Sequence, residues 1–102
     1  MNETSLTIVI PAYNEEEMLL TTVEEAISAA TTELSSFEII IVNDGSTDGT
    51  PTVADQMAKR YDEVSVIHQP QNLGVGAAYT AGLERARFPN ITLIPGDHAF
   101  AK

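Results

Sequence analysis

Four short runs of mostly apolar, often β-branched residues divide the chain, and a polar or turn-forming segment follows each of them. The runs cover residues 6–10, 37–42, 64–68 and 91–94. Because each run is almost continuously apolar, it predicts a strand that is buried on both faces. Between the runs, apolar positions recur at helical spacing. The pattern therefore predicts the element order β-α-β-α-β-α-β.

Amphipathic helices are predicted in the three segments between the strands. The first helix is expected at about residues 14–34, with Asn14 as its N-cap and Glu17 completing a capping box. The second begins at the N-cap Thr50, which a proline follows. The third covers residues 74–87 and is rich in alanine. Its small residues are expected to let the helix lie close to the sheet.

Strands that alternate with helices and are buried on both faces are typical of a parallel sheet. We therefore predict an α/β fold with three layers, α/β/α, around a Rossmann-like parallel sheet of about four strands. Residues 1–102 contain no linker or repeat and suit a single domain. Ligands of such folds bind at the carboxyl ends of the strands, where the strand order reverses. The loops predicted at this edge are residues 11–15, 43–49, 68–76 and 95–98.

The composition argues against several kinds of site. The chain has no cysteine, which excludes disulfides, thiolate metal sites and cysteine nucleophiles. Its 15 acidic and five basic residues give a formal net charge of −10, so we expect no nucleic-acid partner. No apolar run approaches the roughly 18 residues of a membrane-spanning helix. The polar, acidic N-terminus does not have the pattern of a secretory signal.

The distribution of charge predicts a cation requirement. Four basic residues are expected at the ends of the second and third helices, away from the carboxyl edge: Lys59, Arg60, Arg85 and Arg87. The carboxyl edge is expected to carry Glu15, Asp44, Asp48, Asp97, His68 and His98. A nucleotide diphosphate at such an edge requires a divalent cation, and these side chains suit Mg²⁺ or Mn²⁺. The alternative is that the acids, Glu16, Glu17 and Asp48 in particular, only cap helices and turns.

The loop sequences at this edge resemble those of family 2 glycosyltransferases, which have the GT-A fold. The matching stretches are residues 9–16 (VIPAYNEE), 41–50 (IVNDGSTDGT) and 72–78 (NLGVGAA). Residues 95–97 (PGD) fall where the family has its Asp-x-Asp metal motif. The resemblance covers nearly the whole chain, with the motifs in the family's order. It implies the N-terminal, nucleotide-sugar-binding half of a GT-A fold.

The resemblance also implies roles for individual residues. The carboxylate of Asp44 is expected to accept an N–H group of the base, Tyr13 to pack against the base, and Glu15 to bind the base or ribose. The segment that begins at Asn72 is expected near the diphosphate. The full set of predicted nucleotide-binding residues is Pro11, Ala12, Tyr13, Glu15, Asp44, Gly45, Ser46, Asn72, Gly74, Gly96 and Asp97. The alternatives are an Asx-turn residue for Asp44, a core tyrosine for Tyr13, a helix-dipole acid for Glu15 and a plain helix start after Asn72.

The metal motif is where the chain departs from the family. Asp97 is implied as the main metal ligand, with His98 as an added imidazole ligand, for Mn²⁺ or Mg²⁺. Pro95 stands where the first acid of the family's motif usually lies. This difference weakens the predicted metal site without abolishing it.

Together these features predict a glycosyltransferase that transfers a sugar from a UDP- or GDP-sugar to an acceptor with inversion. This chain would supply the donor-binding part, while the acceptor site and the catalytic base are expected in a second half that these residues do not contain. We expect a lipid-linked or polysaccharide acceptor, as in the synthesis of cell walls, polysaccharides or glycolipids. A cytoplasmic location is expected, or the cytoplasmic face of a membrane for a longer parent protein. Self-association through an incompletely covered sheet is a further expectation.

Two other functions remain open at this point. A non-catalytic nucleotide-binding or interaction module would keep the fold but transfer nothing. Residues 44–49 also match the start of an EF-hand calcium loop, with Asp55 at its twelfth position. An EF-hand requires a helix before this loop, whereas residues 37–42 predict a strand.

Overall fold

The computed structural model of the chain describes residues 4–95, which build one four-stranded sheet with helices on both faces. Its strands are β1 (Ser5–Ala12), β2 (Ser36–Asp44), β3 (Val64–Gln69) and β4 (Ile91–Leu93), and its helices are α1 (Leu19–Glu33), α2 (Thr50–Arg60) and α3 (Val75–Arg85). Strands and helices alternate along the chain, which confirms the predicted element order. None of these helices has the length and apolar character that crossing a membrane requires.

The strand order in the sheet is β3-β2-β1-β4, and every neighbouring pair is parallel. In this register Ile8 of β1 lies opposite Ile39 of β2 on one side and Thr92 of β4 on the other. From β1 the chain adds strands first in one direction and then in the opposite one. The topological switch point therefore lies between β1 and β4, and a ligand site is expected at the carboxyl ends of these strands.

The two faces of the sheet hold separate apolar clusters, because successive side chains of a strand point to opposite faces. Helices α1 and α2 cover one face, where the cluster contains Ile8, Ile10, Leu19, Val23, Ile39, Ile41 and Met57. Helix α3 covers the other face, where Val9, Ile40, Val42 and Ala78 pack together. Full burial of each branched side chain contributes roughly 1.5–3 kcal/mol. The predicted three-layer arrangement is confirmed.

The small residues of α3 bring this helix close to the sheet, as predicted. Gly82 is buried, and a Cβ atom added there would lie 2.6 Å from Cγ1 of Val9. A side chain at this position would force the helix away from β1. The close approach matters for the site because the N-terminal end of α3 lies at the carboxyl edge of the sheet.

The predicted start of the first helix is wrong. Helix α1 begins at Leu19, and its N-cap Met18 makes no side-chain capping hydrogen bond. Asn14 instead has a φ of 54°, and its Oδ1 atom accepts a hydrogen bond of 2.8 Å from the backbone nitrogen of Thr47. The capping box with Glu17 therefore does not form. The side chain of Asn14 binds a neighbouring loop, which periodicity along one segment does not report.

The other helix boundaries differ by one or two residues from the prediction. Gly49 rather than Thr50 is the N-cap of α2, and α3 ends at Arg85 rather than residue 87. Two basic residues lie in the last turn of α2 and one in the last turn of α3. These helix ends face the amino edge of the sheet, which confirms the predicted separation of the basic residues from the carboxyl edge.

The amino edge contains a buried acid that the strand pattern does not explain. Glu38 is 6% exposed, and its carboxylate accepts hydrogen bonds from the Thr7 hydroxyl (2.7 Å) and the backbone nitrogen of Arg87 (2.5 Å). The guanidinium Nε of Arg87 lies 3.4 Å from the same carboxylate. Phe88 in turn donates its backbone N–H to the Thr7 hydroxyl. These contacts fix the segment between α3 and β4 against the sheet.

Candidate functional site

A cleft of about 230 Å³ opens at the carboxyl edge of the sheet, beside the switch point. The residues that line it are Pro11, Ala12, Tyr13, Glu15, Asp44, Asn72, Gly74, Val75 and Pro95. We refer to it as the carboxyl-edge cleft. All of its lining residues except Val75 and Pro95 belong to the predicted nucleotide-binding set. The fold therefore gathers, from three separate loops, most of the residues that the sequence singles out.

The remaining predicted site residues fall into two groups. Gly45 and Ser46 do not line the cleft. Gly45 packs against the backbone of Gln71 and Asn72, and the Ser46 hydroxyl accepts a hydrogen bond from Asn14. Gly96, Asp97 and His98 lie outside the residues that the structure describes. Between residues 4 and 95, no three His, Asp or Glu side chains come close enough together to hold a metal ion. The predicted metal site, which depends on Asp97 and His98, stays a prediction.

The end of β1 forms the floor and one wall of the cleft. The strand continues past Pro11 to Ala12, which lies opposite Asn43 of β2. The next residue, Tyr13, is 44% exposed, which excludes the alternative that it is a core tyrosine. Its ring is therefore available at the wall of the cleft.

The carboxylate of Asp44 organises the opposite wall. Asp44 ends β2 and is only 4% exposed. Its Oδ1 accepts hydrogen bonds from the Gln69 side chain (3.0 Å) and the backbone nitrogen of Leu73 (2.8 Å). Its Oδ2 accepts hydrogen bonds from the Asn72 side chain (3.1 Å) and the backbone nitrogen of Gly74 (2.9 Å). One side chain thus holds the whole segment from β3 to the start of α3.

These four contacts define what the Asp44 carboxylate can still do. A carboxylate offers about four lone-pair positions, and here four donors already occupy them. An N–H group of a base would have to share or replace one of these donors. The base contact implied for Asp44 stays a prediction, and the structure adds that Asp44 supports the loop. Gln69, which the sequence did not single out, is part of this arrangement.

Gly45 allows the loop after β3 to lie directly on the end of β2. Its φ is +72°, in the left-handed region that favours glycine. A Cβ atom added to Gly45 would overlap the backbone of Gln71 and Asn72. Glycine is therefore required for both its conformation and its lack of a side chain. This explains the Asp-Gly pair of the motif without any contact between Gly45 and a ligand.

Hydrogen bonds also join the loop after β1 to the loop after β2. Asn14 donates its backbone N–H to the hydroxyl of Ser46 (3.0 Å) and accepts one from the backbone of Thr47. Glu15 donates its backbone N–H to the hydroxyl of Thr50 (2.9 Å). The positions of the adjoining cleft residues, Tyr13 and Glu15, therefore depend on the loop after β2.

Two further acids at this edge, Glu16 and Asp48, form hydrogen bonds at the start of α2. The carboxylate of Asp48 accepts hydrogen bonds from the hydroxyl (2.6 Å) and the backbone nitrogen (2.9 Å) of Thr50. The Thr50 hydroxyl is the main reason that the pKa of Asp48 lies below its ordinary value. Glu16 accepts a hydrogen bond of 3.0 Å from the backbone nitrogen of Gly49. Both acids therefore bind backbone groups at the start of α2, although neither is its N-cap residue, which is Gly49.

The residues that the sequence analysis missed have weak signals. Val75 is 61% exposed, an unusual position for a branched apolar residue, and it stands between two glycines at the start of α3. Pro95 replaces an acid of the family's metal motif in the sequence, and in the structure it also lines the cleft. The EF-hand alternative is wrong, because the strand β2 rather than a helix leads directly into residue 44. Residues 44–49 are therefore a loop between a strand and a helix of the parallel α/β fold.

Comparison with known families decides the classification. The model of the family described as "Glycosyl transferase family 2" matches residues 7–102. The chain belongs to glycosyl transferase family 2. The resemblance found in the loop motifs is thereby confirmed.

Curated relatives in this family are longer than the chain. A dolichyl-phosphate beta-glucosyltransferase of Trichomonas vaginalis is 36% identical over 99 residues, which are 92% of this chain and 30% of the relative. The putative glycosyltransferase EpsH of Bacillus subtilis is 37% identical over 97 residues, which are 95% of this chain and 27% of the relative. The chain thus spans less than a third of the length of these relatives.

Solved structures confirm the fold. A mannosyltransferase from Pyrobaculum calidifontis, solved in complex with GDP-Man and Mn²⁺, superposes with a TM-score of 0.80 at 19% identity and covers 94% of this chain and 28% of that one. Residues 1–349 of S. aureus TarS, in complex with UDP-GlcNAc, give a TM-score of 0.77 at 22% identity and cover 92% and 27%. At these identities the likeness concerns the fold, which is the GT-A fold that the sequence predicted.

Proposed function

We propose that this chain is the donor-binding part of a glycosyltransferase that transfers a sugar from a UDP- or GDP-sugar to an acceptor with inversion. The observation that carries the proposal is the carboxyl-edge cleft, which gathers Tyr13, Glu15, Asp44 and Asn72 at the topological switch point. Family membership supports it. The complexes of two GT-A neighbours with GDP-Man and UDP-GlcNAc support a nucleotide sugar as the ligand class.

The lining of the cleft suggests how the donor binds. The exposed surfaces of Tyr13 and Val75 offer apolar contact to a planar base. Glu15 provides a carboxylate for the base or for ribose hydroxyls. The first turn of α3 begins after Gly74 and presents backbone N–H groups to a phosphate. In this arrangement Asp44 holds the α3 side of the cleft in place while the base approaches it.

The charge distribution makes the proposed binding cation-dependent. The basic residues among residues 4–95 lie at the amino edge, so none of them neutralises a diphosphate in the cleft. We propose Asp97 and His98 as ligands for Mn²⁺ or Mg²⁺, and the solved mannosyltransferase complex with Mn²⁺ supports a divalent cation. When bound, the cation would stabilise the negative charge of the leaving nucleoside diphosphate.

The acceptor and the catalytic base are proposed to lie in further parts of a longer protein. An inverting transfer needs a carboxylate that deprotonates the acceptor hydroxyl. A lipid-linked acceptor is favoured by the relative named for dolichyl phosphate, with a polysaccharide acceptor as the alternative. We propose a location in the cytoplasm or at the cytoplasmic face of a membrane.

Pro95 favours a second candidate function. It lines the cleft at the place where the family has the first acid of its metal motif. A chain that lost its metal site would bind a nucleotide weakly and without a cation, as a non-catalytic module. The requirement for Mn²⁺ therefore distinguishes the two candidates.

Calorimetric titration of the chain with UDP-glucose, UDP-GlcNAc and GDP-mannose tests the proposal, with and without Mn²⁺. We expect one of these donors to bind in the presence of Mn²⁺ and to lose most of its affinity when EDTA removes the metal. Asp97→Asn is expected to abolish the effect of Mn²⁺. Binding that is equal with and without the metal would favour the non-catalytic module, and the absence of binding by every donor would contradict the proposal.

A further inference from the structure

A histidine outside the carboxyl-edge cleft connects helix α2 to the strand ends beneath it. His68 lies opposite Asn43 in the register of β3 and β2. Its Nδ1 atom is 2.9 Å from Nδ2 of Asn43, and its Nε2 atom is 2.9 Å from Oδ1 of Asp55 in α2. Asn43 is buried at 4% exposure, whereas His68 reaches the surface. The imidazole therefore joins a buried amide to an exposed carboxylate.

One backbone group fixes the direction of every hydrogen bond in this chain of contacts. The backbone N–H of Ser46 lies 3.1 Å from Oδ1 of Asn43 and can only donate. Asn43 must therefore turn its oxygen to Ser46 and its NH₂ group to the imidazole. Because that NH₂ group can only donate, Nδ1 of His68 must accept. The ring proton then lies on Nε2 and is donated to Asp55.

The same chain of contacts continues to the wall of the cleft. Ser46 accepts a hydrogen bond from the backbone nitrogen of Asn14 through its hydroxyl. Asn14 lies between the cleft residues Tyr13 and Glu15 and has a positive φ, which a local partner must hold. A sequence of directed hydrogen bonds thus leads from Asp55 through His68, Asn43 and Ser46 to Asn14.

We propose that His68 is a positioning residue for the nucleotide site. Its neutral imidazole, protonated on Nε2, holds the amide of Asn43, and this amide sets the loop of Ser46 that supports Asn14. The Tyr13 side of the cleft is thereby kept in its binding geometry. The consequence for nucleotide affinity rests on the proposed function, whereas the loop geometry does not. His68 does not line the carboxyl-edge cleft, so it acts through Asn43 and Ser46.

Two substitutions of His68 each keep one of the two hydrogen bonds of the imidazole and remove the other. The Oδ1 atom of His68→Asn can take the place of Nδ1 and accept from Asn43, but this side chain is too short to reach Asp55. His68→Gln places its amide near the Nε2 position, where it keeps the contact with Asp55 but loses the acceptor for Asn43. A general loss of packing or charge would affect both variants alike. Asp55→Ala serves as the variant that removes the far partner only.

Backbone amide spectra of the ligand-free protein test the positioning directly. We expect the ¹H–¹⁵N resonances of Ser46 and Asn14 to stay near their wild-type positions in His68→Asn and to shift in His68→Gln. The resonance of Val23, in α1, is the control for intact folding and should not move. Long-range ¹⁵N spectra of the imidazole should show an unprotonated Nδ1 in the wild-type protein. A protonated Nδ1 with a free Nε2, or equal responses of Ser46 and Asn14 to both variants, would overturn the proposal.

Nucleotide binding then tests the link to function. With the donor and metal that the wild-type protein binds, we expect His68→Gln to weaken the affinity about fivefold, as the loss of one hydrogen bond predicts, and His68→Asn to keep it. If the wild-type protein binds no nucleotide but the amides respond as described, the positioning role stands and the proposed function fails. If nucleotide binds and His68→Gln leaves both affinity and amides unchanged, the positioning role fails while the proposed function stands.

Discussion

Oδ2 of Asp44 lies 2.9 Å from the backbone nitrogen of Gly74, the N-cap of α3, thirty residues further along the chain. This contact joins the carboxyl end of β2 to the start of α3, the helix that covers the sheet face away from α1 and α2. Because three further donors bind the same carboxylate, the geometry of the α3 side of the cleft depends on one acid. The acid of the Asp44-Gly45 motif thus has a structural role in the protein without a ligand.

Asp44→Asn should therefore destabilise the protein although it preserves the size of the side chain. An amide has one oxygen, and its NH₂ group would face donors such as the backbone of Gly74. We expect the free energy of unfolding to fall by about 1–3 kcal/mol, the cost of leaving buried donors without acceptors. Urea denaturation measures the change. Asp62→Asn, at an exposed position after α2, is the control and should be neutral; equal stability of both variants would contradict the supporting role.

Two glycines of the same region should respond to alanine in opposite ways. Gly45→Ala places a Cβ against the backbone of Gln71 at a φ of +72°, so we expect a loss of about 1–3 kcal/mol. Gly76→Ala, in the first turn of α3, meets no atom within 4 Å and should stabilise the helix by roughly 0.5–1 kcal/mol. Thermal unfolding of both variants measures the difference. A stabilised Gly45→Ala protein would show that the loop does not lie on Gly45.

Tyr13→Ala should reduce nucleotide affinity with little effect on folding. The ring is 44% exposed at the wall of the cleft, so its removal leaves the core intact. Stacking of a base on an aromatic ring contributes roughly 1–3 kcal/mol, and we expect an affinity loss of about tenfold. Leu20→Ala is the control, since Leu20 is 39% exposed on α1 and does not line the cleft. Calorimetry with the preferred donor measures the affinity of both variants. Equal affinities of Tyr13→Ala and Leu20→Ala would argue against a base at Tyr13.

The Thr50 hydroxyl should account for the lowered pKa of Asp48. Removing it in Thr50→Val is expected to raise this pKa towards its ordinary value, which NMR titration of the carboxyl carbon measures. Because the folded-state pKa lies below the unfolded one, the ionised Asp48 stabilises the fold above the unfolded pKa. This stabilisation is lost as the pH falls through the folded pKa. Thr32→Val, far along α1, should leave the Asp48 titration unchanged; an unchanged pKa in Thr50→Val would point to another cause.

Much of the fold could be predicted because its signals are local. Within residues 4–95, continuous apolar runs identified the four strands and helical spacing identified the three helices, since both patterns follow from burial within a single segment. Boundaries that depend on another segment were harder to predict. Asn14 has the composition of an N-cap, but its side chain binds Thr47 across a loop, so α1 starts at Leu19.

The candidate site shows the same difference between local signals and contacts that join distant segments. The sequence by itself determined which loops meet, because the carboxyl ends of parallel strands share one edge, and it placed residues such as Tyr13 and Asp44 there. Only the tertiary structure decided their partners. Asp44 binds a segment 25 to 30 residues away, and His68 joins Asn43 to Asp55. The physical reason is that a hydrogen bond depends on which groups the strand register and loop packing bring within 3 Å, and no local pattern along the chain records that distance.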